Sequence, residues 1–312
     1  MGITARMGRS HPILDGLASP RKHGVFGPAR AFTLVELLVV VAIIGLLAAL
    51  AVPAIAKVRN RAGAVRELAA LRGVVMGWTQ YAASQKGWLI PCFYGMPPLE
   101  PLPAFYEDGR AIPSTVYGNE RSVVARWPWR LAPYLDHDAR PLQPGNETWQ
   151  VNECSAGDPM KALYFGSLYP GFGMNGMWVG GDQERYGFMP SEIGGRPNPF
   201  HGLHVSRLSG IRHPERLTVF ASARTNQDAC ATGQVREGYF RLESPQWLGP
   251  QWQARYDPSL ASSCGNVSAR WDGQAAVATA NGGVELVAIE ELRDMRRWAD
   301  QADRPDWRFS PR

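Results

Sequence analysis

The strongest pattern in the chain is an uninterrupted apolar stretch over residues 32–56, which contains a single charged residue, Glu36, and a single proline, Pro53. At about 1.5 Å per helical residue, the stretch is long enough to cross a hydrocarbon core of about 30 Å. A surface helix of a soluble domain keeps one polar face, and this stretch has none. The pattern therefore predicts a membrane-spanning helix.

Beyond this stretch, apolar residues recur at spacings of three and four with charged residues between them. The periodicity predicts an amphipathic continuation of the helix over residues 57–87, and Gly87 is a natural helix end. We expect an antiparallel sheet to cover the apolar stripe. The stripe consists of Val58, Ala62, Val65, Leu68, Leu71, Val75, Trp78 and Ala82.

The clearest β pattern lies near the C-terminus, where apolar runs at residues 275–280 and 283–288 flank Asn281 and Gly282. Asn-Gly between two such runs predicts a hairpin with a two-residue turn, in which both turn residues take positive φ. Apolar and polar residues alternate over residues 216–223, which predicts a further strand. The hairpin and this strand supply the antiparallel sheet that the long helix needs.

The remaining segments are less regular. Prolines and aromatic residues are dense between residues 88 and 150, which excludes long helices and central strands there. Residues 289–302 predict a short amphipathic helix. We therefore expect an α+β fold: a long N-terminal helix packed on an antiparallel sheet, with large loop-rich insertions in a globular domain over residues 88–312.

The residues around the start of the apolar stretch resemble the N-terminal segment of type IV pilins and type II secretion pseudopilins. A small residue, Ala31, is followed by Phe32 and then by Thr-Leu-Val and Glu36. The resemblance implies that prepilin peptidase cleaves before Phe32 and that the new N-terminus is methylated. Glu36 and Pro53 then fall at the fifth and twenty-second mature positions, as in the family, whereas Ala31 replaces the usual glycine.

What the resemblance implies extends to location and partners. Residues 1–31 become a cytoplasmic leader, and residues 32–56 span the bacterial inner membrane once, with the C-terminal domain outside. Glu36 pairs with the N-terminal amine of a neighbouring pilin-like subunit in a filament, with Pro53 in the same assembly helix. The partners are prepilin peptidase, other pilin-like subunits, an inner-membrane assembly platform and the lipid bilayer.

Two observations favour other arrangements. Basic residues are denser after the apolar stretch than before it, which by itself predicts a cytoplasmic C-terminal side. The resemblance predicts the opposite topology. In addition, Ala-Ile-Ala at residues 54–56 would suit an ordinary secretory signal cleaved before Lys57, although the apolar stretch is long for one.

The resemblance continues near the C-terminus. A large subgroup of pilin-like proteins carries a histidine, nine residues and then Asp-Gly in a hairpin. Here Arg270 and Trp271, nine residues, and Asn281-Gly282 fall in the same register. Trp271 replaces the histidine and Asn281 the aspartate, so we assign neither residue a catalytic or metal-binding role, and only the hairpin turn is carried over.

The charge and the cysteine content argue against some kinds of function. The net charge is +5, but the leader contributes most of it, so the basic character does not predict nucleic-acid binding. The four cysteines form no C-x-x-C pair, which argues against a thiolate metal site. An exported domain can form up to two disulfides from four cysteines, with three possible pairings. We prefer the pair Cys230 and Cys264, because these residues flank a Gly- and Pro-containing excursion.

The sequence offers no catalytic constellation, cofactor-binding motif or metal signature. His201 and His204 form an H-x-x-H pair, but no carboxylate or cysteine falls at a useful spacing from them. The first hypothesis is a structural, non-enzymatic pilin-like subunit of a type II secretion or type IV pilus-like machine. The second is a membrane-anchored exported protein that binds a polysaccharide or a protein partner through its aromatic-rich surface. An exported hydrolase has no site to support it.

Overall fold

The fold is taken from a computed structural model of the chain. The chain divides into two compact units, Met1–Ala54 and Ile55–Arg312. One helix, α1 (Leu34–Ser84), has residues in both. The structure describes residues 33–95, 123, 125–138, 140–145, 154–227 and 234–311.

In the first unit, the described residues belong to the apolar part of α1. Every residue of this part is exposed, and Pro53 lies inside the helix without ending it. α1 is the one helix among the described residues that is long and apolar enough to cross a membrane. Its most apolar window has a mean hydropathy of 2.9 and no buried residue. The long predicted helix is therefore confirmed in its extent.

The second unit is built on a four-stranded antiparallel sheet with the strand order β1-β4-β7-β8. The two inner strands are almost entirely buried, which explains why both are apolar without strict alternation. β7 is rich in alanine, and such small side chains allow close packing on the sheet. The strands are β1 (Phe172–Met174), β4 (Thr218–Ser222), β7 (Gln274–Thr279) and β8 (Val284–Ala288).

The C-terminal half of α1 packs on this core, which confirms the α+β architecture, but the buried face differs from the predicted stripe. Val58 and Val65 are each 66% exposed, whereas Glu67 is 3% exposed. The prediction that the whole stripe is covered is therefore wrong for its first half. The sheet covers a face that is rotated by part of a turn from the predicted one. The buried positions are Ala64, Glu67, Leu71, Val74, Val75, Gly77, Trp78, Tyr81 and Ala82.

Among the described residues, the second unit also contains two shorter α-helices and two small sheets. α2 (Trp127–Leu131) continues into a 3-10 turn, Ala132–Leu135, and its Trp127 ring packs on Phe220 of β4 with centroids 4.9 Å apart. α3 (Pro159–Leu168) begins at the N-cap Asp158. The small sheets pair β2 (Glu192–Ile193) with β3 (Arg196–Pro197) and β5 (Arg224–Thr225) with β6 (Arg236–Glu237).

The predicted helix over residues 289–302 is wrong. The segment instead forms two 3-10 turns, Glu291–Arg293 and Met295–Arg297. Asp294 separates them in an extended conformation, and its carboxylate accepts a hydrogen bond from the Arg296 backbone N–H at 2.9 Å. A short polar side chain that bonds to nearby backbone in this way competes with helical hydrogen bonds.

The predicted hairpin is confirmed, with a different turn. The Thr279 N–H donates to the Gly283 carbonyl at 2.9 Å, so three residues form the loop. The Gly282 N–H donates to the Thr279 carbonyl, and Gly282 alone of the two predicted turn residues has positive φ, at 86°. The geometry is that of a type I turn followed by a left-handed glycine, and the prediction of a two-residue turn is wrong.

Candidate functional site

The processing segment begins at the edge of the described residues. Ala31 and Phe32 lie outside them. From Thr33 onward the chain forms a reciprocal cap: the Glu36 N–H donates to Thr33 Oγ1 at 3.1 Å, and the Thr33 N–H donates to Glu36 Oε2 at 2.9 Å. Thr33 Oγ1 also donates to the same carboxylate oxygen. This capping box satisfies donors that a helix start otherwise leaves free, so Glu36 has a partner within its own chain.

A cluster of polar side chains joins α1 to the sheet. We call it the Glu67 junction; it consists of Glu67, Ser222, Glu237, Arg270 and Trp271. Glu67 Oε1 accepts from the Ser222 hydroxyl at 2.5 Å, and its Oε2 accepts from Arg270 Nε at 2.8 Å and from Trp271 Nε1 at 3.1 Å. Arg270 also reaches Glu237 Oε2 at 2.6 Å.

The junction fixes the position of α1 on the sheet. A buried carboxylate is costly unless it is paired and hydrogen-bonded, and here three donors from three positions meet it. The Trp271 ring lies directly against Gly63 of α1, where a Cβ atom would come within 2.6 Å of it. One turn earlier, the Asn60 amide donates to Asp272 at 3.1 Å. The segment after Val267 therefore holds α1 through consecutive helical turns.

The position aligned with the histidine of the pilin subgroup thus donates an indole N–H to a buried carboxylate. The position aligned with the aspartate acts as an acceptor. Asn281 Oδ1 accepts from the Gly283 N–H at 2.9 Å and from the Thr279 hydroxyl at 2.7 Å. The Asn281 N–H donates to the Pro214 carbonyl at 3.0 Å. Both residues act in the fold through hydrogen bonds that need neither a proton exchange nor a metal.

A second buried ionic cluster lies between the excursion after β1 and residues 241–243. Arg241 donates to Asp182 at 2.6 and 3.1 Å and to Glu184 at 2.7 Å, and Asp182 is fully buried. Burial raises the pKa of Asp182, although the adjacent guanidinium of Arg241 acts in the opposite direction. This pair holds the long connection against the core, and no sequence pattern pointed to it.

The predicted disulfide between Cys230 and Cys264 is wrong. Cys264 is a free thiol, fully buried at the end of a 3-10 turn. Arg293 Nη2 approaches its sulfur at 3.8 Å, and burial raises the pKa of the thiol. The side chain is enclosed in the core and is not available for a cross-link. Cys92 is also free and buried, Cys154 is disulfide-bonded, and Cys230 lies outside the described residues.

The two histidines of the H-x-x-H pair contact different neighbours. His201 Nδ1 lies 2.7 Å from the Met189 carbonyl, and the His204 ring packs edge-on against Phe188 with centroids 5.1 Å apart. His213 lies elsewhere, 3.9 Å from Glu215. In the part of the chain that the structure describes, no three His, Cys, Asp or Glu side chains are grouped closely enough to hold a metal ion.

His204 gives the domain an expected acid sensitivity. Burial lowers its pKa from 6.5 to about 4, and His201 adds to the effect. Below about pH 6.5 the His204 imidazole binds a proton in the unfolded chain but not in the folded chain. The free energy of unfolding is therefore unaffected by His204 above pH 6.5 and decreases as the pH falls towards 4. We expect a loss of up to about 3 kcal/mol across that range.

The measurement is urea unfolding of the full chain in detergent at several pH values. His204→Gln should flatten the slope between pH 6.5 and 4, while His201→Gln should reduce it only slightly, because burial is the larger cause of the low His204 pKa. Equal slopes in His204→Gln and wild type would contradict this assignment.

Aromatic side chains form a partly exposed surface on the excursion between β1 and β4. Tyr186 is 42% exposed and stacks on Phe200 at 4.7 Å and on Trp247 at 5.7 Å. Phe188, 43% exposed, contacts Tyr94 edge-on at 4.8 Å. Rings that present one open face over a packed aromatic base can stack on a flat apolar ligand surface.

Comparison with known proteins adds one finding at the N-terminus. Residues 28–52 match the family model of the prokaryotic N-terminal methylation motif. The match includes the Ala31–Phe32 junction and Glu36, and it coincides with the exposed apolar part of α1. It supports a type IV pilin-like subunit that prepilin peptidase processes and a membrane anchor in this segment. No curated protein and no solved structure matches the chain.

The site residues predicted from the sequence and those found in the structure overlap in part. Glu36, Pro53, Asn281 and Gly282 lie in the predicted elements. Sequence reasoning missed the role of Glu67, which was one charge among several on an amphipathic helix. A signal was present, because Glu67 lies three residues after Ala64 and four before Leu71, on the face that is buried.

Proposed function

We propose that this protein is a structural, non-enzymatic pilin-like subunit of a type II secretion or type IV pilus-like machine. The observation that carries the proposal is that the N-terminal methylation motif coincides with the apolar part of α1, in which no residue is buried. Exposed apolar side chains over this length require either lipid or other helices around them. A membrane supplies the lipid before assembly, and a filament core supplies the other helices after it.

The proposal includes a topology and a set of partners. The leader lies in the cytoplasm, α1 crosses the inner membrane once, and the second unit lies outside. Prepilin peptidase processes the chain, and an inner-membrane assembly platform passes it to other pilin-like subunits. The Glu67 junction supports this role, because it fixes the helix that enters the filament to the domain that the filament displays.

Processing is the direct test. The mature protein is expected to begin at Phe32 with a methylated amine, since the junction after Ala31 and the following Glu36 form the motif that the peptidase reads. Mass spectrometry of the protein from cells with and without prepilin peptidase measures this. A mature chain that begins at Lys57, in either strain, would contradict the proposal and favour an ordinary signal peptide. Replacing Ala31 by a bulky residue should leave the precursor uncleaved.

A second candidate function is binding of a polysaccharide by the anchored domain, which the partly exposed rings of Tyr186 and Phe188 favour. The detergent-solubilised full chain should then be retained on insoluble cellulose, chitin or peptidoglycan. Tyr186→Ala should reduce retention several-fold. Trp88→Ala is the matched control, because Trp88 is also exposed but Arg207 covers its ring at 4.2 Å. Equal retention of both variants would count against this function.

A further inference from the structure

The start of the second unit carries an exposed group of cations directly after the apolar stretch. Lys57, Arg59 and Arg61 are all exposed, and we call them the basic collar. None of the three forms an ion pair or a side-chain hydrogen bond with the residues that the structure describes. Asp272, the carboxylate bonded to the same helical turn, is held by the Asn60 amide. The collar therefore carries three positive charges, and the carboxylate at the same turn, Asp272, is bonded to Asn60 and not to any of the three.

The distribution of the cations around the helix indicates the kind of partner. Lys57 and Arg61 are four residues apart and lie on one side of α1, whereas Arg59 is rotated by about 200° from Lys57. A protein that docks on one face would meet only part of this set. A layer of anionic groups around the whole helix would meet all of it. Glu67, the only acidic residue between Ile55 and Ser84, is buried, so α1 presents no exposed carboxylate there.

The position along the helix agrees with the headgroup layer of a bilayer. If the apolar stretch fills the hydrocarbon core up to Ala56, Arg61 lies about 7.5 Å beyond it at 1.5 Å per residue. The headgroup region on each side of a bilayer is about 5–8 Å thick. Two further exposed cations, Arg66 and Arg72, lie about 15 and 24 Å beyond the same residue and fall outside that layer.

We propose that the basic collar binds the anionic headgroups of phospholipids around α1 and sets the depth of the helix in the bilayer. Phosphate groups accept hydrogen bonds from guanidinium groups, and long basic side chains reach headgroups from a helix that stands in the membrane. The proposal rests on the proposed function only in placing the apolar stretch in a membrane. It does not depend on assembly into a filament.

The experiment uses the full chain reconstituted into phosphatidylcholine vesicles that contain spin-labelled phosphatidylglycerol or phosphatidylcholine. Electron paramagnetic resonance gives the relative association of the two lipids with the protein. Wild type should prefer phosphatidylglycerol at low salt, and 1 M NaCl should weaken the preference because the Debye length falls to about 3 Å. Arg59→Gln/Arg61→Gln should reduce it by up to about fivefold per cation removed.

Arg66→Gln/Arg72→Gln removes the same charge further along the helix and should leave the lipid preference within about twofold of wild type. Equal loss in both double variants, or no loss in the collar variant, would overturn the proposal. If Arg59→Gln/Arg61→Gln keeps the lipid preference of wild type but loses a chemical cross-link to another subunit, the proposal is also overturned. That result would favour an acidic protein partner. If the full chain does not enter vesicles at all, the proposed membrane anchor is wrong. This result is distinguishable from a loss of lipid preference in a chain that does enter them.

Discussion

Replacing Glu67 by alanine is expected to lower the free energy of unfolding by about 3–5 kcal/mol, which is typical for removing one partner from a buried ion pair. The substitution leaves the Arg270 guanidinium and the Trp271 indole N–H without their shared acceptor in a largely buried place. The Ser222 hydroxyl loses its shorter hydrogen bond and keeps the Ala276 carbonyl as acceptor at 3.3 Å. The cost arises mainly because buried donors lose this acceptor, since the bonds themselves contribute much less on balance.

The measurement is urea unfolding of the full chain in detergent, followed by tryptophan fluorescence. Glu237→Gln is the matched control, because this carboxylate also binds Arg270 but is 36% exposed, and its loss should cost less than about 1 kcal/mol. Replacing Glu67 and Arg270 together by leucine and methionine should recover part of the loss, since the carboxylate that then loses its partner, Glu237, is 36% exposed. Similar unfolding of Glu67→Ala and Glu237→Gln would contradict the assigned role.

Replacing Glu36 by alanine is expected to prevent assembly into multimers while membrane insertion continues. Glu36 lies close to one end of the apolar stretch, where burying a carboxylate in a bilayer costs least, so its loss should not hinder insertion. In a filament, the methylated amine of Phe32 would meet a neighbouring helix in an apolar surrounding. Without the carboxylate this ammonium group stays unpaired, which costs several kcal/mol at a buried site.

The capping box complicates this substitution and also supplies its control. Glu36→Ala removes the cap of α1 as well as the intersubunit partner, because the Glu36 carboxylate accepts from the Thr33 N–H and hydroxyl. Thr33→Ala weakens the cap by about 0.5–2 kcal/mol but keeps the carboxylate. Membrane fractionation and chemical cross-linking of both variants separate the effects. Multimers should disappear in Glu36→Ala and persist in Thr33→Ala; loss in both would assign Glu36 a capping role alone.

Much of the fold follows from local patterns. The sequence predicted the apolar stretch, the length of α1 and the C-terminal hairpin, because helical and strand periodicities repeat within short windows. The N-terminal methylation motif could be predicted for another reason: it is a pattern of consecutive residues, and the family model matches it over residues 28–52. Glu36 could therefore be assigned to this motif without any knowledge of the tertiary structure.

The features that the sequence did not decide depend on contacts between distant residues. Periodicity shows that α1 has an apolar stripe, but the neighbouring sheet determines which face is buried, and here it leaves Val58 and Val65 exposed. Asp294 ended a helix that the spacing of apolar residues predicted, because its carboxylate found a nearby backbone N–H. Cys264 stayed free because its side chain points into the core.

The sequence by itself indicated a membrane anchor and the N-terminal methylation motif, since both depend on composition and order over consecutive residues. Only the tertiary structure decided what Glu67, Trp271 and Asn281 do. More than 200 residues of chain separate Glu67 from Arg270 and Trp271, and the three meet only when the sheet closes on α1. A hydrogen bond depends on distance and direction in space, and neither can be read from the order of residues along the chain.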